Sequence, residues 1–142
     1  MKKYLLLITA VFLLLTACTQ ETIKPPDLDV SSEDGMITAV TGTYGWTENS
    51  ENIQADSDTP PNIVEFQEDE LIVSQGEVLN LAFKKAPEDV QVNIWNNDEV
   101  IKQELDDNKL KVPNEVGKVI YEVVAEYEEG TVHYAFEVTV EN

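Results

Sequence analysis

The sequence predicts an all-β protein, an antiparallel sandwich of about eight or nine strands. After residue 35, apolar side chains alternate with polar ones, which is typical of strands with one face in a core and one in water. Gly, Pro, Asn and Asp interrupt this alternation about every 8 to 12 residues, as turns between short strands do. No convincing helical period is present.

The first 17 residues have the layout of a secretion signal. Lys2 and Lys3 form a positively charged start, and an uncharged, mostly apolar run follows from Tyr4 to Thr16. This run is too short for a permanent transmembrane helix, which needs roughly 20 apolar residues. The sequence therefore predicts an exported protein whose signal peptide spans residues 1–17.

Cys18 is the only cysteine, and it directly follows Leu15-Thr16-Ala17. These four residues resemble the lipobox of bacterial lipoproteins, which implies cleavage behind Ala17 and lipid attachment to Cys18. A thiolate is the side chain best suited to attack a lipid donor. The alternative is an unmodified cysteine after an ordinary signal, but a lone exported thiol would need its own explanation. We expect fatty acids such as palmitate to anchor the protein on the outer face of the cell membrane.

Residues 18–35 are predicted to be the lipidated N-terminus and a disordered acidic tether. The segment is polar, contains Pro25-Pro26 and carries five acidic side chains, a composition that keeps a chain extended. The folded domain is accordingly predicted to span residues 36–142.

The strands of this domain fall into long and short predicted segments. Residues that favour turns lie between these segments. The clearest hairpin turns are predicted at Asn96-Asn97-Asp98 and Glu128-Glu129-Gly130. The spacing favours an immunoglobulin-like sandwich, with a small barrel as the alternative. The long strands centre on Leu79–Phe83, Val90–Ile94, Val119–Tyr127 and Val132–Val140, and the short ones are Met36–Trp46, Asn62–Phe66, Leu71–Ser74, Glu99–Leu105 and Lys109–Val112.

The charge of the chain is strongly negative. It has 28 Asp and Glu against 9 Lys and no Arg, and its formal net charge is −19. Nucleic-acid binding is excluded, because phosphate contacts need clustered Lys and Arg. Anionic lipid headgroups are disfavoured for the same reason. We expect a monomer whose partners, such as another exported protein, are cationic or neutral at the contact.

Two short motifs resemble a domain that recurs in exported proteins and lipoproteins of Gram-positive, spore-forming bacteria. They are Gly42-Thr43-Tyr44-Gly45-Trp46 and the later Ala55-Asp56-Ser57 with Pro60, which match the patterns GTYxW and ADxxxP. Many members carry a cysteine at the positions of Gly45 and Gln54, and both are absent here. The resemblance implies the sandwich fold and an extracytoplasmic location, and the family has no established activity.

Candidate chemistry is sparse. His133 is the only histidine and is predicted to face solvent from the last strand, so neither a Ser-His-Asp set nor a zinc site is expected. No catalytic residue, metal or cofactor is predicted. The possible binding residues are Tyr44, Trp46 and Trp95, because Trp95 falls on the strand face opposite the core. It is either covered by the segment of Tyr44 and Trp46 or exposed as a patch.

The function predicted from these features is a non-catalytic binding or accessory module, anchored to the membrane outside the cytoplasm. The alternative is an inhibitor or modulator of a secreted or membrane enzyme. In that case the polar segment from Thr47 to Pro61 is the candidate loop to enter the enzyme's cleft. An enzyme is the least supported function, because no nucleophile, base and orienting group occur together.

Overall fold

The structure of this protein is a computed structural model that describes residues 22–142. The predicted signal peptide of residues 1–17 and the predicted lipid attachment site at Cys18 lie outside the described residues. One helical turn, α1 (Pro60–Ile63), continues into a 3-10 turn (Val64–Phe66). The strands are β1 (Leu28–Ser31), β2 (Met36–Thr38), β3 (Val40–Glu48), β4 (Glu51–Ala55), β5 (Leu71–Ser74), β6 (Val78–Phe83), β7 (Asp89–Asn96), β8 (Glu99–Gln103), β9 (Leu105–Asp106), β10 (Lys109–Lys111), β11 (Gly117–Tyr127) and β12 (Gly130–Glu141).

These strands form two sheets that pack face to face, which confirms the predicted β-sandwich. The first sheet has the order β2-β1-β6-β10-β9. The second sheet has the order β4-β3-β12-β11-β7-β8, and β5 also pairs with the end of β12. All pairs are antiparallel except β5 with β12, which is parallel.

The strand order is that of an immunoglobulin-like sandwich. In the first sheet, β1, β6, β10 and β9 take the places of strands A, B, E and D of that fold. In the second sheet, β12, β11, β7 and β8 take the places of G, F, C and an added C′ strand. Strands β2 to β5 are additional, so the described residues contain more strands than the eight or nine predicted.

The main core lies between the two sheets. Its centre is an aromatic pair, Tyr121 stacked on Phe136 with ring centroids 4.9 Å apart. A second, smaller apolar cluster lies on the other face of the second sheet, where Ile63 and Val64 cover Ala135. The second sheet is therefore covered on both faces around Ala135.

The predicted boundary between tether and domain at residue 36 is wrong. Strand β1 lies inside the segment assigned to the tether, between β2 and β6 in the first sheet. Leu28 and Val30 are fully buried in the main core. Alternation is present here too, but it covers only four residues between acidic side chains.

Asp29 and Pro26 of this segment are bonded to residues of the domain. Asp29 forms an ion pair of 2.6 Å with Lys84 and accepts a 2.7 Å hydrogen bond from Thr38. The bond from Lys84 is the main reason that the pKa of Asp29 is lowered. The buried Tyr134 hydroxyl donates to the carbonyl oxygen of Pro26 at 2.6 Å. The folded part therefore begins before β1.

The predicted strand at Asn62–Phe66 is also wrong, because this segment forms α1 and the 3-10 turn. Pro60 and Pro61 start the helical turn, where their fixed φ suits the geometry and a missing N–H costs nothing. Among residues 22–142, no helix is long and apolar enough to cross a membrane.

Both predicted hairpins are present. Asn97 has a φ of 54° in the turn between β7 and β8, and Gly130 has a φ of 151° where β12 begins. A short side chain or none suits these positive values, which explains the residue types found there.

Candidate functional site

The outer face of the second sheet carries a cluster of polar side chains around Glu122. The strand order places β11 between β7 and β12, so side chains that alternate outwards from these three strands become neighbours. Glu122 lies opposite Asn93 in the register, and Trp95 and His133 belong to the adjacent cross-strand rows.

The Glu122 carboxylate receives three hydrogen bonds. The Trp95 indole N–H and the Asn93 side-chain amide donate to Oε2, at 3.1 Å and 3.2 Å. His133 Nδ1 lies 3.1 Å from Oε1. The Glu122 side chain is only 13% exposed, so these donors replace most of the water that an ionised carboxylate would otherwise bind.

The hydrogen bonds keep Glu122 ionised. They lower its pKa, with the bond from His133 as the largest cause, and they outweigh the opposing effect of burial. An ionised carboxylate accepts only, so His133 holds its proton on Nδ1 in this contact. In the neutral ring, Nε2 is then the acceptor atom and remains available to a ligand.

The two sequence motifs meet beside this cluster. Thr43 Oγ1 accepts a hydrogen bond of 3.1 Å from the backbone N–H of Ser57, and the two hydroxyls lie 3.2 Å apart. A cavity of about 220 Å³ lies between the motif segments and the Glu122 cluster. Its lining includes Gly42, Thr43, Ser57, Asp58, Thr59, Pro60, Ile63, Trp95, Glu122 and His133.

Gly42 allows the chain to pass close to Ser57 and Ile63. A Cβ on Gly42 would lie 3.0 Å from both Ser57 Oγ and Ile63 Cδ1, and 3.3 Å from the carbonyl oxygen of His133. These distances are tighter than ordinary contacts, and one of them is to backbone. A side chain here would therefore require these neighbours to shift by a few tenths of an ångström, at the edge of the cavity.

The three predicted binding residues do not form one group. Trp46 is 3% exposed and packs edge-on against Tyr127 in the main core, with ring centroids 5.2 Å apart. Tyr44 is half-buried and packs against the same core. Only Trp95 lies on the outer face, as the alternation predicts, and it lines the cavity. Of the two alternatives for Trp95, neither holds in full: Gly42 and Thr43 of the segment lie beside it across the cavity, while Tyr44 and Trp46 face the core, and Trp95 itself is half-buried.

His133 lies on the outer face as predicted, but it is not simply a solvated side chain. Its side chain is 38% exposed and contacts Glu122. Neither Glu122 nor Asn93 was predicted as a site residue, although the alternation in β11 indicates that Glu122 faces away from the core. The contact between them could have been predicted from the strand order C-F-G of the immunoglobulin fold, because this order makes β7, β11 and β12 adjacent.

Ser57, Glu122 and His133 line the same cavity, but they do not form one hydrogen-bonded set. Ser57 Oγ lies near Thr43 and donates to the carbonyl oxygen of Asp58 at 3.0 Å, and among the described residues it makes no hydrogen bond to His133. A Ser-His-carboxylate relay is therefore not assembled in this structure. Within residues 22–142, no three His, Cys, Asp or Glu side chains are grouped to hold a metal ion.

No family model matches the chain, and neither the curated proteins nor the solved structures contain a significant match.

Proposed function

We propose that this protein is an exported, lipid-anchored binding module, with no catalytic role, whose ligand site is the cavity beside Glu122. The observation that carries the proposal is the partly buried Glu122 carboxylate with its three donors, which fix the Trp95 and His133 side chains beside a cavity. Such a network is preorganised, so little ordering is required when a ligand enters. The N-terminal signal and Cys18 support the anchored, extracytoplasmic location.

The cavity's chemistry favours a small, hydroxyl- or amine-bearing group. Its volume of about 220 Å³ is below the usual range for drug-sized ligands, so it suits one ring or one side chain of a larger partner. Thr43, Ser57 and Thr59 contribute hydroxyls, Asp58 contributes a carboxylate, and Trp95 an aromatic ring. An anionic group is disfavoured by the two carboxylates and by the net charge of −19.

The inhibitor alternative lacks the long loop on which it rested. The segment Thr47–Pro61 consists of the end of β3, a tight turn, β4 and a short connection that ends at the buried Pro60. The hairpin tip is short, with Asn49 and Ser50 at φ values of 51° and 66°, and the exposed residues 56–59 connect β4 directly to α1. A tip this short is not favoured for reaching into an enzyme's cleft.

The anchor is tested by the variant Cys18→Ala. We expect this variant to incorporate no labelled palmitate and to leave the membrane fraction, because the diacylglycerol thioether requires the sulfur atom. Metabolic labelling followed by fractionation measures both properties. Labelled fatty acid on the variant would show that Cys18 is not the lipidated residue.

The ligand site is tested by thermal melts with a panel of sugars, amino sugars, amino acids and polyamines. We expect at least one compound to raise the melting temperature of the parent by several degrees, since a ligand at a hundredfold its Kd adds about 2.7 kcal/mol. Glu122→Gln should abolish this shift because it disturbs the positions of Trp95 and His133.

The matched control for this test is Glu126→Gln. Glu126 lies on the same outer face of β11, beyond Val124, is exposed and does not line the cavity, so the same change in charge should leave the shift intact. A panel without any compound that shifts the parent, or a shift that survives Glu122→Gln, contradicts the proposed site.

A further inference from the structure

Phe66 is an aromatic side chain fixed on the surface. It is 75% exposed, although the buried residues Ile63 and Val64 lie only three and two positions before it. Large aromatic side chains are seldom left in water on a monomer unless they are used. Its exposure therefore calls for a functional explanation.

The segment around Phe66 is held firmly against the second sheet. The Gln67 side chain donates to the carbonyl oxygen of Glu137 at 3.1 Å, and its oxygen accepts from the backbone N–H of Glu137 at 2.8 Å. The same amide donates to the carbonyl oxygen of Asp69 at 2.8 Å. Val64 before Phe66 is buried, and Gln67 after it is hydrogen-bonded to the second sheet. The backbone therefore holds the Phe66 side chain in contact with solvent.

A groove of about 320 Å³ lies beside Phe66, where the chain passes from β2 in the first sheet to β3 in the second. Strand β2 is the edge strand of the first sheet, so this side of the sandwich is open. The lining consists of Thr38, Ala39, Val40, Phe66, Glu68 and Asp69, which combines apolar groups with two carboxylates.

Acidic side chains dominate the part of the chain that forms this groove. Residues 25–83 contain 13 Asp and Glu and no Lys, Arg or His. Among the described residues, four lysines form ion pairs, with Asp27, Asp29, Glu129 and Glu137, and none pairs with Glu68 or Asp69. The lysine of the pair with Glu137 is Lys118, which lines a neighbouring cavity together with Glu68 and Asp69. The groove therefore offers an aromatic face and two carboxylates that form no ion pair with a lysine.

We propose that the Phe66 groove is a docking site for a Lys- or Arg-rich extended segment of another exported protein. A cationic side chain gains from the aromatic face and from both carboxylates at once. Arginine fits better than lysine, because its planar guanidinium stacks on a ring while its N–H groups bond carboxylates. This surface is separate from the Glu122 cavity, so the inference does not depend on the proposed ligand site.

Charge argues against the other possible occupants. A second copy of this chain would bring its own acidic 25–83 region to the contact, and like charges facing each other oppose such an interface. An anionic membrane surface is repelled for the same reason. A basic peptide segment is the occupant that complements both the charge and the aromatic ring.

The test uses the chain purified from membranes in neutral detergent and a fluorescein-labelled octa-arginine peptide as the probe, with binding followed by anisotropy. We expect Phe66→Ala to weaken binding about 2- to 5-fold, which is the typical contribution of an exposed cation–π contact. Because Phe66 is largely exposed, this variant should keep the parent's melting temperature. Octa-lysine should bind more weakly than octa-arginine.

Two matched pairs of variants separate the groove from general electrostatic attraction. Glu68→Gln with Asp69→Asn removes two groove charges, and Asp98→Asn with Glu99→Gln removes two exposed charges at the distant β7–β8 hairpin. We expect the first pair to weaken binding several-fold more than the second. Equal losses, or no loss with Phe66→Ala, would overturn the proposal. So would sedimentation that shows a dimer of the parent which Phe66→Ala abolishes.

Discussion

Trp46→Ala is expected to destabilise the domain by about 3–5 kcal/mol, the usual cost of truncating a buried tryptophan. The ring is 3% exposed and packs edge-on against Tyr127, which is itself buried. Its indole N–H also donates to Glu48 at 3.3 Å, and the Lys85 ammonium lies 5.8 Å from the ring centroid. A loss of this size approaches the whole stability of an ordinary domain.

Urea or thermal unfolding measures this loss, and Trp95→Ala is the comparison variant. Trp95 is half-buried on the outer face and lines a cavity, so water can enter the space that its side chain leaves. We expect Trp95→Ala to cost less than half as much as Trp46→Ala. Equal costs for the two variants would contradict the placement of Trp46 in the core and of Trp95 at the outer site.

The side-chain faces of the long strands were predictable from sequence because alternation is a local property. Alternation indicates core faces for Tyr121, Tyr127 and Tyr134, and all three are buried between the sheets. Strand β1 was not predicted, because its acidic residues suggest a solvated tether when they are considered alone. The partner that makes Asp29 part of the fold is Lys84, which is distant in sequence and adjacent only in the sheet.

The candidate site was not predictable from alternation alone. Each of Trp95, Glu122 and His133 can be assigned to an outer face from its own strand, but their contact depends on the order of strands in the sheet. The cavity also requires the hairpin β3–β4, which brings Thr43 to Ser57. The polar composition of β4 is typical of a loop, so this hairpin was missed and with it one side of the cavity.

Gly130→Ala is expected to be among the most damaging single changes to the fold. Gly130 has a φ of 151°, and it pairs with Trp46 at the start of β12. A Cβ at this position would overlap the carbonyl oxygen of Gly45 and lie 3.4 Å from Trp46 Cα. Relief requires β3 to move away from β12, which would also shift the buried Trp46 ring. We expect a loss on the order of 4 kcal/mol, from backbone strain and overpacking together.

Variants of two other glycines distinguish backbone strain from overpacking as causes of this loss. Gly45 has open space around its Cβ position and no positive φ, so Gly45→Ala should change the free energy of unfolding by less than about 1 kcal/mol. Gly117 has a φ of 134° but also has open space, so Gly117→Ala should show the cost of strain alone. Urea unfolding of the three variants should therefore rank Gly130→Ala as the most destabilised, then Gly117→Ala, then Gly45→Ala. If Gly130→Ala unfolds at the same urea concentration as Gly117→Ala, the close contact between β3 and the start of β12 does not exist in solution.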